Sequence, residues 1–479
     1  MKRKRLTSLL LTLIVCTTMV HAAWWEGSPK VRNKAERGYI FRFWLKDKQG
    51  SPYTFDRPQD FLSAKAVERR QQQHLAIDST DLPVSTVYLH LFRRKGTRIV
   101  GTSRWNNTLL IYTPDTTRLE EMKHLACVVR WAKVWQSPDS VSPLPDRPRI
   151  HDDFNRWDSV PDSRYGAAEA QIAAVGGQRL HQQGFCGRGM TIAILDGGFE
   201  NADRLPALAH AQVAGTKDFL PFSSHRLFQG TDHGTRVFTA MAAMAPHVMI
   251  GTAPEATYWL LRCEDRQSEQ PVEEDYWAMA AEFADSVGAD LVNSSLGYTR
   301  FDNHQDDHCY AEMDGHTTLI SHTASMLAGK GIVLVCSAGN NGMGPWKKID
   351  FPADADDILT VGAVTPQLTN APFSSVGPTQ DGRVKPDIMA PGSPASLISG
   401  RGTLVQDMGT SFAAPIVCGM AACLWQALPG LSARSLMEII RQSGNNQSHP
   451  DNIYGYGVPD FYKAYSTEKE RQQTHKTLP

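Results

Sequence analysis

From about residue 164 to 463 the chain alternates short apolar runs with longer stretches of helical periodicity. Thr191-Ile-Ala-Ile-Leu195, Tyr258-Trp-Leu-Leu261, Leu291-Val292 and Ile332-Val-Leu-Val335 carry no polar face. A strand with one wet side alternates apolar and polar residues, whereas a strand without alternation must be covered on both faces. Helices between such strands supply the covers. The pattern predicts an α/β fold: a doubly wound, mostly parallel sheet with helices on both faces, spanning residues 164–465. A unit of about 300 residues buries ~75% of its unfolded surface, so it needs no disulfide or metal staple.

A second, smaller unit precedes it. Tyr39–Leu45 alternates like a strand, Ala64–Arg70 reads as a helix, and Val87–Phe92 is a further element. Arg98–Val100 and Asn107–Tyr112 read as strands, Thr117–Leu125 as a helix and Val128–Val134 as a last strand. That order predicts a small α+β split βαβ sandwich over residues 24–135. Residues 136–163 are polar, proline-rich and without periodicity, which predicts a linker, and 466–479 read as a polar, frayed tail.

At the amino terminus Lys2, Arg3, Lys4 and Arg5 precede a short apolar core from Leu9 to Val15 and a Val20-His21-Ala22 step of small-x-small type. This predicts a secretory signal over residues 1–22 and an exported protein, periplasmic or extracellular. After residue 25 no apolar run of ~18 residues stands out, so no membrane span is expected. The 49 basic and 50 acidic residues leave a formal charge of −1, too little to hold nucleic acid or an anionic membrane. Hydrophobic residues at 41% and charged residues at 21% exclude a disordered chain, a collagen and a coiled coil. Cys16 leaves with the signal, and the remaining seven thiols are odd in number, so one at least is free or pairs between chains. Cys336, Cys418 and Cys423 sit in apolar runs and read as small buried hydrophobes.

Three segments carry reactive groups. Asp196 leaves the carboxyl end of an apolar strand before Gly197-Gly198, at the edge where doubly wound sheets hold their sites. His233 opens an alanine-rich helix after Thr231-Asp232. Ser411 follows Gly409, read as a tight turn, and starts an apolar helix whose free N–H groups suit a developing anion. Pro415 fits the first turns of that helix. Each segment alone has an ordinary structural reading as a turn, a satisfied histidine or a helix cap. Together they form a set in which a base activates a hydroxyl and a carboxylate orients the base.

The order Asp196, His233, Ser411, each within a longer motif, resembles the subtilisin family of serine peptidases. Val335-Cys-Ser-Ala-Gly-Asn340 resembles the segment whose amide helps bind the oxyanion. Asn293-Ser-Ser295-Leu296-Gly297 resembles the strand that pairs with the substrate backbone. Gly251-Thr-Ala-Pro254 and the stretch Phe373–Gly392 match further family segments, and the finer wording is similar to subtilases of Bacteroidetes-type bacteria. The resemblance implies catalytic Asp196, His233 and Ser411, an oxyanion donor at Asn340, and substrate contacts at Ser295, Leu296, Gly297, Ala338 and Gly339. It implies peptide or protein substrates and no required cofactor. It implies that residues 24–135 are a propeptide, an intramolecular inhibitor and folding helper. Gly197 and Phe238 depart from the family, which has a hydroxyl residue and a small residue at these places. The competing readings are a catalytically inactive subtilase-fold binding protein and an α/β-hydrolase esterase. The esterase is disfavoured because neither G-x-S-x-G nor the order Ser, acid, His is present.

His304 and His308 are spaced like helical metal ligands among Asp302, Asp306, Asp307, Cys309, Asp314, His316 and His322. The segment is polar and reads as a surface loop. Structural calcium at Asp306, Asp307 or Asp314 is compatible with it; zinc is not expected.

Overall fold

A computed structural model of the chain describes residues 31–32, 37–94, 97–141, 143–151, 163–222 and 226–477. The export signal at 1–22 and the polar stretch 152–162 lie outside the described residues.

The amino-terminal unit is a four-stranded antiparallel sheet of β1 (Tyr39–Leu45), β2 (Arg98–Ser103), β3 (Thr108–Thr113) and β4 (Val128–Gln136), in the order β2-β3-β1-β4. Its helices are α1 (Ala64–Gln72), α2 (Thr86–Arg94) and the short α3 (Leu119–Lys123). The expected element order holds. Val87–Phe92 is part of α2, and the helix expected over 117–125 is helical only over Leu119–Lys123 after a tighter turn at Thr116–Arg118. The period of two in β1 sorts its side chains. Phe41, Phe43 and Leu45 face Tyr88, Phe92 and Met122 in the unit's own core, while Ile40 turns to the other face.

The larger unit is built on a seven-stranded sheet: β5 (Thr191–Asp196), β6 (Gln212–Asp218), β7 (Thr257–Arg262), β8 (Leu291–Ser294), β9 (Val333–Ser337), β10 (Leu359–Val364) and β11 (Ile388–Pro391). The order is β11-β10-β9-β8-β5-β7-β6, and all six pairings are parallel. The strands β5, β8, β9, β10 and β11 are buried at every residue, as two-sided cover requires. Covering helices include α4 (His233–Ala242), α5 (Val272–Val287) and α6 (Thr410–Ala427). From β5 the chain goes to one side of the sheet and then, at β8, to the other. The crevice between β5 and β8 is therefore the topological switch point.

Helix α6 is, by length and composition, apolar enough to cross a membrane, contrary to the expected absence of such a run. It is a core helix instead, with Thr410 and every residue from Phe412 to Trp425 buried. Cys336, Cys418 and Cys423 are fully buried, and all seven described cysteines are free thiols. The tail expected to fray from residue 466 continues a helix, Phe461–Thr477, in which Phe461, Ala464, Tyr465 and Glu468 are buried along one face. The expected linker is partly structured. Ser140–Val141 pairs with Val31–Arg32, and Pro145, Pro148 and His151 accept or donate hydrogen bonds against Gln229, Asn201, Arg204 and Arg401.

The two units share a core. Ile40, Trp105, Leu110 and Val134 of the small sheet pack with Val272, Tyr276 and Trp277 of α5. At the far end of α5 the carboxylate of Asp285, with no exposed surface, receives Arg69 at 2.5 Å, Arg70 at 2.8 Å and Arg104 at 2.6 Å. Glu282 takes the Ser103 hydroxyl and the N–H groups of Arg104 and Trp105, and Arg42 grips Asp275 at the helix start. Burial raises the Asp285 carboxyl, but Arg70, Arg104 and Arg69 outweigh it and bring it down to about 2. That stabilisation is present above the ordinary carboxylate range and drains away only as pH falls toward about 2. Asp285→Asn keeps the shape and leaves three buried guanidiniums short of a counter-charge, costing ~3–5 kcal/mol. Hydrogen exchange on the full chain should then show β1–β4 losing protection together. Unchanged protection would mean that the apolar contacts hold the units alone.

Candidate active site

The end of β5 delivers Asp196, fully buried, to the switch-point crevice. Its Oδ1 accepts the Gly197 N–H at 2.8 Å, which fixes the carboxylate plane. His233, the first residue of α4, brings Nδ1 to 3.0 and 2.9 Å from the two carboxylate oxygens. With Nδ1–H donating to Asp196, Nε2 is the basic nitrogen. The approach needs Gly234: a Cβ there would lie 2.9 Å from Asp196 Cγ and 2.5 Å from the Gly198 carbonyl oxygen. Asp232, the adjacent acid, is turned away to Arg236 and the Gly400 N–H, so it does not compete for His233.

Ser411 is the second residue of α6. Its Oγ donates to the Ser295 carbonyl at 3.3 Å, its own carbonyl accepts the Ser295 hydroxyl at 2.8 Å, and no bond to His233 forms among the described residues. Asn340 is oriented from the same helix start, where Thr410 N–H and Oγ1 donate to its Oδ1 at 3.0 and 3.1 Å. The amide's nitrogen end is therefore the one left to donate. His233, Ser295, Leu296, Gly297, Gly339, Asn340 and Ser411 line one pocket. Ala338 does not join them. It is fully buried, and its N–H and carbonyl are taken by Val361 and Asp350. The chain bends at Gly409, whose carbonyl accepts the Phe412 N–H at 3.1 Å as it enters α6, which is the turn expected there.

The two departures from the family have local explanations. The space a side chain at Gly197 would take is filled by the Glu264 carboxylate. Phe238 is buried against Tyr258, edge to face at 4.9 Å. Motif reading missed the acidic wall of the pocket, formed by Glu264, Asp265, Glu269, Asp302 and Asp350. Burial, the neighbouring Glu264 and Asp302 push Glu269 up to about 8.

His304 and His308 do not lie in a helix, although His322 does, in Leu319–Met326. His304 is an exposed loop residue beside Asp307, while His308 turns inward to Glu274 at 2.9 Å and packs on Phe351. Asp307 and Asp314 are committed to the N–H groups of Phe301, His316 and Thr317, and Asp306 to Asn303. These oxygens do not converge as a calcium cage, and among the described residues no three metal-ligating side chains gather at one point.

The comparisons with known proteins agree with this geometry. Residues 187–457 match the family described as the subtilase family, and residues 41–146 match the peptidase S8 propeptide domain of Bacteroidota. The chain belongs to the subtilase family and carries that propeptide domain in front. It is 29% identical over 276 residues to subtilisin NAT of Bacillus subtilis subsp. natto, covering 57% of this chain and 62% of that one. It is 27% identical over 288 residues to a thermostable alkaline protease of Halalkalibacterium halodurans, covering 60% and 70%. It is 24% identical over 357 residues to M-protease of Shouchella clausii, covering 74% and 84%. The alignment with the Bacillus subtilis subtilisins thus spans somewhat less than two thirds of their length.

Burial lowers the His233 pKa, but the charge and hydrogen bond of Asp196, with Glu264 adding, outweigh it and raise the value above the ordinary 6.5. Asp196→Asn removes that support and leaves burial, so the His233 ring should titrate below the ordinary value. An NMR pH titration of the ring protons checks this. A value that stayed raised would assign the effect to Glu264.

Proposed function

We propose that the protein is a serine endopeptidase, made as an exported precursor, that hydrolyses peptide bonds through Asp196, His233 and Ser411. The observation that carries this reading is the Asp196–His233 pair at the carboxyl edge of the sheet, facing one pocket with Ser411 at a helix start. His233 Nε2 takes the Ser411 proton as Oγ attacks the scissile carbonyl, then delivers it to the leaving amine. Water repeats the sequence on the acyl-enzyme. Asp196 holds the tautomer and stabilises the imidazolium. The Asn340 amide and the Ser411 N–H stabilise the oxyanion. The chemistry is acyl and proton transfer with no change of oxidation state, and it calls for no cofactor. Gly297 and Gly339 border the substrate strand, with Ser295 and Leu296 behind it and Ala338 acting through the backbone it fixes.

The amino-terminal domain acts as inhibitor and folding helper. Its grip on α5 supports that role, since a large parallel sheet has high contact order and folds slowly. Residues 136–163 are the segment cut at maturation, and the basic, apolar run at 1–22 supports export.

A fluorophosphonate probe should label wild type at Ser411 and fail on Ser411→Ala; an unlabelled wild type would favour the inactive binding protein. If the cut is self-inflicted, wild type should shorten by about 135 to 165 residues while Ser411→Ala stays whole. Asn340→Ala should lower kcat by ~100- to 1,000-fold with KM little changed, the size known for removing this kind of donor from a subtilisin. A loss mainly in KM would make Asn340 a ground-state contact. With the His233 value raised, kcat/KM should fall along one acidic limb lying above pH 6.5.

A further inference from the structure

Asp350 stands apart from the other acids of the pocket. It is only 9% exposed, yet it lines the pocket that holds Ser411. Its N–H is spent on the Ala338 carbonyl, and its Oδ1 accepts from Asn341 Nδ2 at 2.7 Å. Oδ2 has no donor among the described residues. The carboxylate lies between the bare Cα atoms of Gly297 and Gly339. A Cβ at Gly297 would come to 2.7 Å from Asp350 Cβ, and one at Gly339, whose φ is +103°, would strike Oδ2. These two glycines border the proposed substrate strand on either side.

We propose that Asp350 is a specificity-determining residue that selects lysine or arginine on the acyl side of the scissile bond. The inference rests on the peptidase reading above. A side chain entering between the two glycine edges ends at a buried carboxylate with one oxygen unanswered. A phenyl or isobutyl group would dry that oxygen without pairing it. A guanidinium or ammonium brings both the missing donor and the counter-charge. Burial, opposed by Asn341, holds the carboxyl up at about 7, and a cation beside it would draw it back toward the ordinary carboxylate range. Asp302 adds negative potential around the same pocket, and Arg266 offsets part of it.

The test is cleavage of one peptide series with arginine, lysine, phenylalanine or leucine at that position, by wild type, Asp350→Asn and Asp350→Ser. Wild type should prefer arginine over phenylalanine by ~100-fold or more in kcat/KM, because mismatching a site built for a charged group is costly. Both variants should lose most of that ratio while still reacting with the fluorophosphonate. A labelled wild type that cuts after leucine or phenylalanine, or a ratio unchanged in Asp350→Asn, overturns the proposal and leaves the peptidase reading intact. Absence of both labelling and cleavage overturns both. As a check that needs no variant, benzamidine should protect wild type from labelling far better than neutral benzamide; equal protection counts against Asp350.

Discussion

The rest of the structure depends on cover over both faces of the seven-stranded sheet. A strand such as β5 is apolar from Ile192 to Leu195 and buried throughout, so helices must close over its two sides. Chemistry is thereby driven to the sheet's carboxyl edge, where strands end and backbone N–H groups of following helices face outward. Asp196 is the last residue of β5, Ser295 follows the last residue of β8, and His233 and Ser411 begin helices. Four chain segments far apart in sequence meet because one edge is the only place left for polar groups.

The same constraint explains how much could be read in advance. The strands β5, β7, β8 and β9 are legible as apolar runs, and three separate motif segments carry Asp196, His233 and Ser411. The strand β6 gave no such signal. Gln212–Asp218 is an edge strand, largely exposed, and polar residues satisfy it. The helix after Phe461 was hidden by its polar far half, although Phe461, Ala464, Tyr465 and Glu468 have helical spacing. Asp350 belongs to no motif. Only folding brings it between two glycines that precede it by 53 and 11 positions.

Glu264 shows how a departure from a family pattern can be absorbed. With no side chain at Gly197, a carboxylate from the next strand's end occupies the space behind Asp196. Burial and Asp196 itself raise Glu264, while His233 and Arg266 oppose that rise, so proton uptake at Glu264 relieves a crowd of negative charge. The pair that orients His233 thus sits in a neighbourhood of acids without losing its polarity.

The contact between the two domains joins faces of opposite sign, with Asp78 and Asp81 reaching the other way to Lys330. Arg42, Lys65, Arg69, Arg70 and Arg104 belong to the amino-terminal side, and Asp275, Glu282, Asp285 and Asp290 to the other. Separated, the faces carry opposite charge and attract over about a Debye length, ~8–10 Å in physiological salt. A separated amino-terminal domain would therefore be steered back to α5 by a field, and ionic strength would govern how often it returns rather than how it sits once docked.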